Sequence, residues 1–204
     1  MIGLEKEGGL WTLTLQRADK ANSLTGAMLE RLVEVAESLP GQGVKALVLT
    51  GEGKVFSAGA DLAEARTGLA TSPLWERLST ALAAAPCLTI AALNGTLAGG
   101  AFGMALACDL RIAVPGASFF YPVMRLGFLP QPSDPARLAA LVGPARAKMI
   151  LMAGTRIGAD EALNWGLIDR IVEPEALGDM ARTLAADALA ADQTHVAAIK
   201  RLVP

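Results

Sequence analysis

The chain of 204 residues has one histidine, His195, and two cysteines, Cys87 and Cys108. A lone imidazole leaves almost no room for a His-ligated metal site or a nucleophilic triad centred on histidine. Two cysteines are too few for a disulfide framework, and they lack metal-ligand spacing. Aromatic residues make up only 4% of the chain, with a single tyrosine, Tyr121. A surplus of charge is missing too: 18 basic against 20 acidic residues give a net charge of −2. No basic run occurs, so the electrostatic footprint of a nucleic-acid partner is absent. Apolar residues are plentiful, at 52% of the chain, which excludes disorder. One domain with a helical appendage is expected, and at this size it buries about 70% of its unfolded surface without a staple.

No signal-like apolar core follows Met1; the segment to Glu7 carries alternating charge early. Leu78 to Cys108 contains no charged residue, and Gly95, Gly99 and Gly103 give it small-residue steps. Pro86, Asn94 and Gly95 nevertheless interrupt the run, and no Lys or Arg cluster anchors its ends. It reads as a buried strand and a buried helix rather than a membrane span. A cytoplasmic protein with no membrane and no nucleic-acid partner is expected.

Trp11 to Leu15 alternates and reads as a strand. Met28, Leu29, Leu32, Val33, Ala36 and Leu39 repeat at helical spacing, so Thr25 to Leu39 reads as an amphipathic helix stopped by Pro40-Gly41. Val44 to Thr50 is an apolar strand, followed by a loop from Lys54 to Asp61 and a helix from Leu74 to Ala84. Leu88 to Leu93 reads as a strand, Gly99 to Ala107 as a helix, and Asp109 to Val114 and Ser118 to Tyr121 as strands. From Asp134 onward the pattern is helical except at Ile168 to Val172. One last helix is expected near Glu175 to Leu202, with Leu177, Met180, Leu184 and Ala188 on one face. Alternating strands and helices with continuous apolar strand runs predict an α/β fold with a largely parallel sheet.

Two loops follow buried strands and are built of small residues: Phe56 to Leu62, and Asn94 to Gly103. Small residues let a ligand approach the backbone. Gly100 opens a helix, where N–H groups lack intrahelical acceptors. Side by side, the loops would aim two N–H donors at one oxygen, although glycines of this kind also serve close helix–strand packing. Gly51-Glu52-Gly53-Lys54 lacks the spacing of a phosphate loop, and Gly99 to Gly103 lacks that of a dinucleotide loop.

Several segments together resemble the crotonase superfamily, the enoyl-CoA hydratase/isomerase family. They are Leu13 to Arg17 with Asn22 to Leu24, Val48 to Gly51, Phe56 to Leu62, Asn94 through Gly100 to Asp109, Leu126 to Pro130 and Ala162 to Ile168. The resemblance implies a spiral of repeated ββα units over residues 1–140. A helical region over residues 141–204 would then build homotrimers or homohexamers. It implies a coenzyme A thioester as substrate and no tightly bound cofactor or metal. The N–H groups of Ala60 and Gly100 would bind the thioester oxygen. Ala58, Asp61 and Leu62 would lie against the adenine and pantetheine, and Lys20 and Ala21 near the phosphates. Further helices usual in the family are expected to be missing here, leaving the pocket more open or the trimer contact altered.

Departures from the pattern narrow the chemistry. Hydratases of this family place glutamates where this chain has Gly103 and Val123. Hydration needs one group to activate water and another to deliver a proton. Isomerase, hydrolase or lyase chemistry through a thioester enolate is therefore expected over hydration, the alternative being a non-catalytic CoA-thioester-binding or assembly protein. Gly103→Glu with Val123→Glu is expected to restore hydration if the pocket permits. Asp134 is a substitute acid or base, although Asp before Pro135 also suits a helix N-cap. Tyr121 reads as core, with donation of a hydrogen bond in the pocket as the alternative; Glu64 reads as a solvated face, with a swing inward as the alternative; His195 reads as surface or interface.

Overall fold

In a computed structural model describing residues 1–203, the apolar runs become strands of two sheets wound by one spiral. In chain order the elements are β1 (Ile2–Glu7), β2 (Leu10–Leu15), α1 (Gly26–Ser38), β3 (Ala46–Gly51), β4 (Val55–Ser57), α2 (Leu62–Ala65), α3 (Leu74–Ala83), β5 (Leu88–Leu93), β6 (Thr96–Ala98), α4 (Phe102–Leu106), β7 (Leu110–Ala113), β8 (Ser118–Phe120) and α5 (Val123–Leu126). There follow α6 (Asp134–Val142), α7 (Pro144–Leu151), β9 (Ile157–Gly158), α8 (Ala159–Trp165), β10 (Arg170–Ile171), α9 (Leu177–Ala190) and α10 (Gln193–Leu202).

The larger sheet has the order β1-β2-β3-β5-β7-β10, parallel except for the β1–β2 hairpin. The smaller has the order β4-β6-β8-β9, parallel except at β9. Each turn of the spiral gives one long strand to the first sheet and one short strand to the second: β3 then β4, β5 then β6, β7 then β8. This is the repeated ββα layout that the family resemblance implies. Its consequence for the site is that the ends of β4 and β6, two neighbouring strands, deliver two successive loops to one place.

The helices form as their sequences dictate. Thr25 caps α1 by accepting the Met28 N–H, and the face bearing Met28, Leu29, Leu32, Val33 and Ala36 is buried. Helices α1 and α3 pack together, and α9 lies across β3, β5 and β7. The buried stripe of α9 is Leu177, Ala181 and Ala185, with Met180 and Leu184 partly buried beside it. No helix among the described residues is long and apolar enough to cross a membrane.

Three expectations are corrected, and the N-terminal segment, given no element above, gains one. The segment from Lys54 to Asp61 is not all loop, because Val55–Ser57 pairs with β6. Gly99 to Ala107 is not one helix: a tight 3₁₀ turn, Gly99–Ala101, precedes α4. The N-terminal segment is an edge strand, β1, whose charged second half faces solvent as edges commonly do. The last helix is two. The break falls at Asp192, whose extended backbone and side chain accepting the Thr194 N–H start α10 afresh. Pro204, the end of the expected helical region 141–204, lies outside the described residues.

Candidate active site

The first loop leaves β4 at Ser57, which is fully buried. Its hydroxyl donates to the Asn22 carbonyl at 2.8 Å and accepts the Gly59 N–H at 3.2 Å. Ala58 N–H donates to Ala21 O, Leu24 N–H to Gly59 O and Asp61 N–H to Leu24 O. The loop thus runs as a parallel bridge beside residues 21–24. In such a bridge alternate residues face away from the partner, so the Ala60 N–H points out and has no acceptor among the described residues.

Polar groups fix the base of this loop. Asn22, with Ala21 before it, adopts the left-handed conformation (φ 49° and 50°). Its side chain accepts the Arg17 N–H and donates to the carbonyls of Glu52 and Val55. Asp61 caps α2 by accepting the Ala63 and Glu64 N–H groups and pairs with Arg17 at 2.8 Å. The Arg17 hydrogen bond, with the Glu64 N–H, holds the Asp61 carboxyl below the ordinary aspartate value.

The second loop leaves β6 at Ala98. Gly99 is left-handed (φ 58°), and Gly100 follows in the 3₁₀ turn with its N–H unpaired among the described residues. The Trp75 ring packs so closely on Gly100 that a Cβ there would lie 3.3 Å from it, and the Trp75 Nε1–H donates to Leu69 O. The loops meet at Gly59 (φ 92°), where a Cβ would lie 2.9 Å from Ala98 O and 3.4 Å from Gly100 N. Only glycine permits that approach.

A third feature lies along α4. Asp134 is only 1% exposed. Its Oδ2 accepts the Tyr121 hydroxyl at 2.8 Å, while Oδ1 has no partner among the described residues. A Cβ on Gly103 would lie 2.9 Å from that Oδ1. Burial pushes the Asp134 carboxyl up to about 6, opposed by the Tyr121 hydrogen bond and the charge of Arg137. Burial, and then the Asp134 charge, pushes the Tyr121 phenol well above its usual value. The Tyr121 ring stacks on Phe102 of α4, with centroids 5.3 Å apart.

Ala58, Ala60, Asp61 and Gly100 are therefore brought together, with Ala21 bonded to Ala58. Leu62 is 79% exposed at the rim and Lys20 is exposed on the turn before Ala21. Val123 is buried at the start of α5. Asp134 is not the N-cap: Ser133 holds that place and binds Glu76, so Asp134 is the first helical residue and its side chain turns inward. The same geometry sets the condition on the expected restoration of hydration: a glutamate at position 103 would have to displace the Asp134 carboxylate, whose Oδ1 lies 2.9 Å from a Cβ there. Glu64 is engaged rather than solvated, accepting the Gly26 N–H at 2.7 Å. His195 is exposed on α10. Burial pushes both cysteine thiols up to about 12, so neither supplies a thiolate. Trp75 and the Tyr121–Asp134 bond went unseen in the sequence, since each contact joins residues from separate elements.

Residues 5–203 match the family model described as enoyl-CoA hydratase/isomerase. The chain belongs to that family. Among its relatives, 4-chlorobenzoyl coenzyme A dehalogenase-1 of Arthrobacter is 35% identical over 199 residues, covering 91% of this chain and 72% of that protein. The 1,2-epoxyphenylacetyl-CoA isomerase of Escherichia coli K12 is 32% identical over 189 residues, covering 88% and 72%. The solved structure of an enoyl-CoA hydratase from Bacillus anthracis superposes with a TM-score of 0.89 at 31% identity, covering 99% of this chain and 81% of that one. The family members named here work on acyl-CoA thioesters by different reactions, so the local residues, not the fold, decide the chemistry in this chain.

Proposed function

We propose that the protein is a cytoplasmic acyl-CoA thioester enzyme whose Ala60 and Gly100 N–H groups form an oxyanion hole that stabilises a thioester enolate. The observation that carries this reading is the pair of unpaired N–H donors on adjacent turns, pressed together at Gly59. Fixed donors of this kind act where negative charge develops, each contributing about 2.7–4 kcal/mol to transition-state stabilisation. Ala58, Asp61 and Leu62 would line the pantetheine and adenine, and Lys20 and Ala21 the phosphates. Coenzyme A arrives as part of the substrate. With Gly103 and Val123 in place of the hydratase acids, isomerase, hydrolase or lyase chemistry fits better than hydration. The helical region 141–204 would carry assembly into homotrimers or homohexamers.

A ligand that binds only the folded protein must raise its melting temperature, by about 2.7 kcal/mol of stability at a hundredfold excess over Kd. Acetyl-CoA and crotonyl-CoA are expected to do so, and NAD and ATP are not. No shift with millimolar CoA thioester overturns the reading.

A further inference from the structure

We propose that Asp134, reaching across from α6, is the proton-transfer residue of this site, occupying the place beside α4 that Gly103 leaves open. The inference rests on the reading that Ala60 and Gly100 hold a thioester oxygen. Given that, the position is telling. Gly103 follows Gly100 by three residues, so the two lie one above the other on the same side of the helical turn, about 5–6 Å apart. The carboxylate that fills the Gly103 side is thus one helical step from the N–H aimed at the thioester oxygen. The acyl α-carbon is two bonds from that oxygen.

The carboxylate is also set up as a tool rather than as a strut. A structural aspartate in the first turn of a helix satisfies its oxygens on helix N–H groups or neighbouring side chains. Asp134 does this with one oxygen only. Tyr121 fixes Oδ2 and with it the plane of the carboxylate, leaving Oδ1 buried, unpaired and facing α4. An unsatisfied buried acceptor costs about 1–3 kcal/mol, a cost that natural chains tolerate chiefly at working sites. The charged and titratable groups around it are Tyr121 after β8, Glu76 on α3 and Arg137 on α6. Glu76 is engaged with Ser133, so no second carboxylate competes for the proton. With the carboxyl near 6, the group is ionised at neutral pH yet basic enough to accept a proton.

One carboxylate moves one proton. The α-carbon C–H bond breaks, the Oδ1–H bond forms, and the electron pair passes to the thioester oxygen held by the two N–H groups. The Oδ1–H bond then breaks as the proton returns to the acyl chain and the thioester carbonyl re-forms. No water, oxidant or reductant enters. Val123, apolar and buried at the other expected acid position, offers no second group for net hydration.

The test uses vinylacetyl-CoA, whose allylic α-proton is acidified, in deuterated buffer. Deuterium at the α- and γ-carbons and formation of crotonyl-CoA are followed by NMR. The wild-type protein is expected to exchange and convert the probe. Asp134→Asn is expected to lower both rates about 10²–10⁴-fold while the melting-temperature rise with CoA thioesters persists. Tyr121→Phe is the second variant. Losing the bond that favours the ionised carboxyl, it should retain exchange but move the pH of half-maximal rate upward, which a purely structural tyrosine would not do. A wild-type protein that binds CoA thioesters but does not exchange overturns the role of Asp134, as does an Asp134→Asn variant that exchanges at the wild-type rate. If CoA thioesters fail to bind at all, the oxyanion-hole reading itself falls and this inference with it.

Discussion

The loop after β4 and the loop after β6 present the same kind of N–H donor, but the first is tied by polar side chains and the second is wedged by packing. Around the first, Asn22, Ser57, Asp61 and Arg17 bond to backbone and to one another. Around the second, no side chain caps the turn; Ala98, Ala101 and Phe102 are buried, and the Trp75 ring presses on Gly100. A loop held by hydrogen bonds keeps its shape because each buried polar group would be costly to strand. A loop held by packing keeps its shape because no volume is free. The first is therefore vulnerable to changes of charge and the second to changes of size. The exception on the packed side is the half-satisfied Asp134 carboxylate.

The most damaging test strikes where both loops meet. Gly59→Ala puts a Cβ 2.9 Å from Ala98 O at a φ of 92°, so strain and collision act together. It is expected to destabilise the protein by about 3 kcal/mol or more and to abolish CoA-thioester binding. Urea unfolding and thermal shift read the two losses, and a variant with wild-type stability and binding would mean that the loops do not depend on this contact.

A second comparison sets the two aspartates against pH. Asp134 titrates near 6 when folded against 3.8 for the free group. Its folded value is raised, so its contribution is fully present below 3.8 and is lost as pH rises to about 6. Two pKa units correspond to about 3 kcal/mol. Asp134→Asn, which cannot ionise, is expected to be more stable than the wild type above pH 6, by about 1–3 kcal/mol, and to lose that advantage near pH 4. Melting temperatures measured across that range decide it; a constant difference would show that the carboxylate pays nothing for its burial.

Asp61 runs the other way, with a smaller effect. Arg17 and the α2 N–H groups lower its folded value, so its stabilisation is present at neutral pH and fades as pH falls through the acidic range. Asp61→Asn is expected to cost less than Gly59→Ala, and the loss should shrink in high salt because the Arg17 pair is partly exposed. Midpoints at low and high salt check this.

How much of this could be read in the chain depended on how far apart the deciding residues lie. Leu88 to Leu93 and Leu74 to Ala83 emerged within a residue or so, because a long apolar run or a helical stripe carries its own evidence. The strands β4, β6 and β9, two or three residues each, have no period to detect and exist only through partners elsewhere in the chain. Ala60 and Gly100 could be singled out because their small neighbours and preceding strands are local. Asp134 looked like a cap because Asp-Pro is a local cap signal; that its side chain turns inward is decided by Tyr121 and by the missing side chain at Gly103. The absent acid on α4 and the present acid on α6 are two sides of one steric fact, which the linear sequence separates by 31 positions.

Lys200, near the end of α10, donates to the Cys87 carbonyl and the Thr89 hydroxyl, 113 and 111 residues earlier, and pairs with Asp109 at 2.9 Å. Seen as an event in time, that junction closes one of the longest loops in the molecule, around a strand that itself pairs only with distant parallel neighbours. Contacts of such separation are formed only after much chain entropy has been spent. The spiral that brings the two loops together at Gly59 therefore carries a kinetic cost: the protein should fold far more slowly than a helical bundle of its size, with β5 and its cover among the last parts to lock.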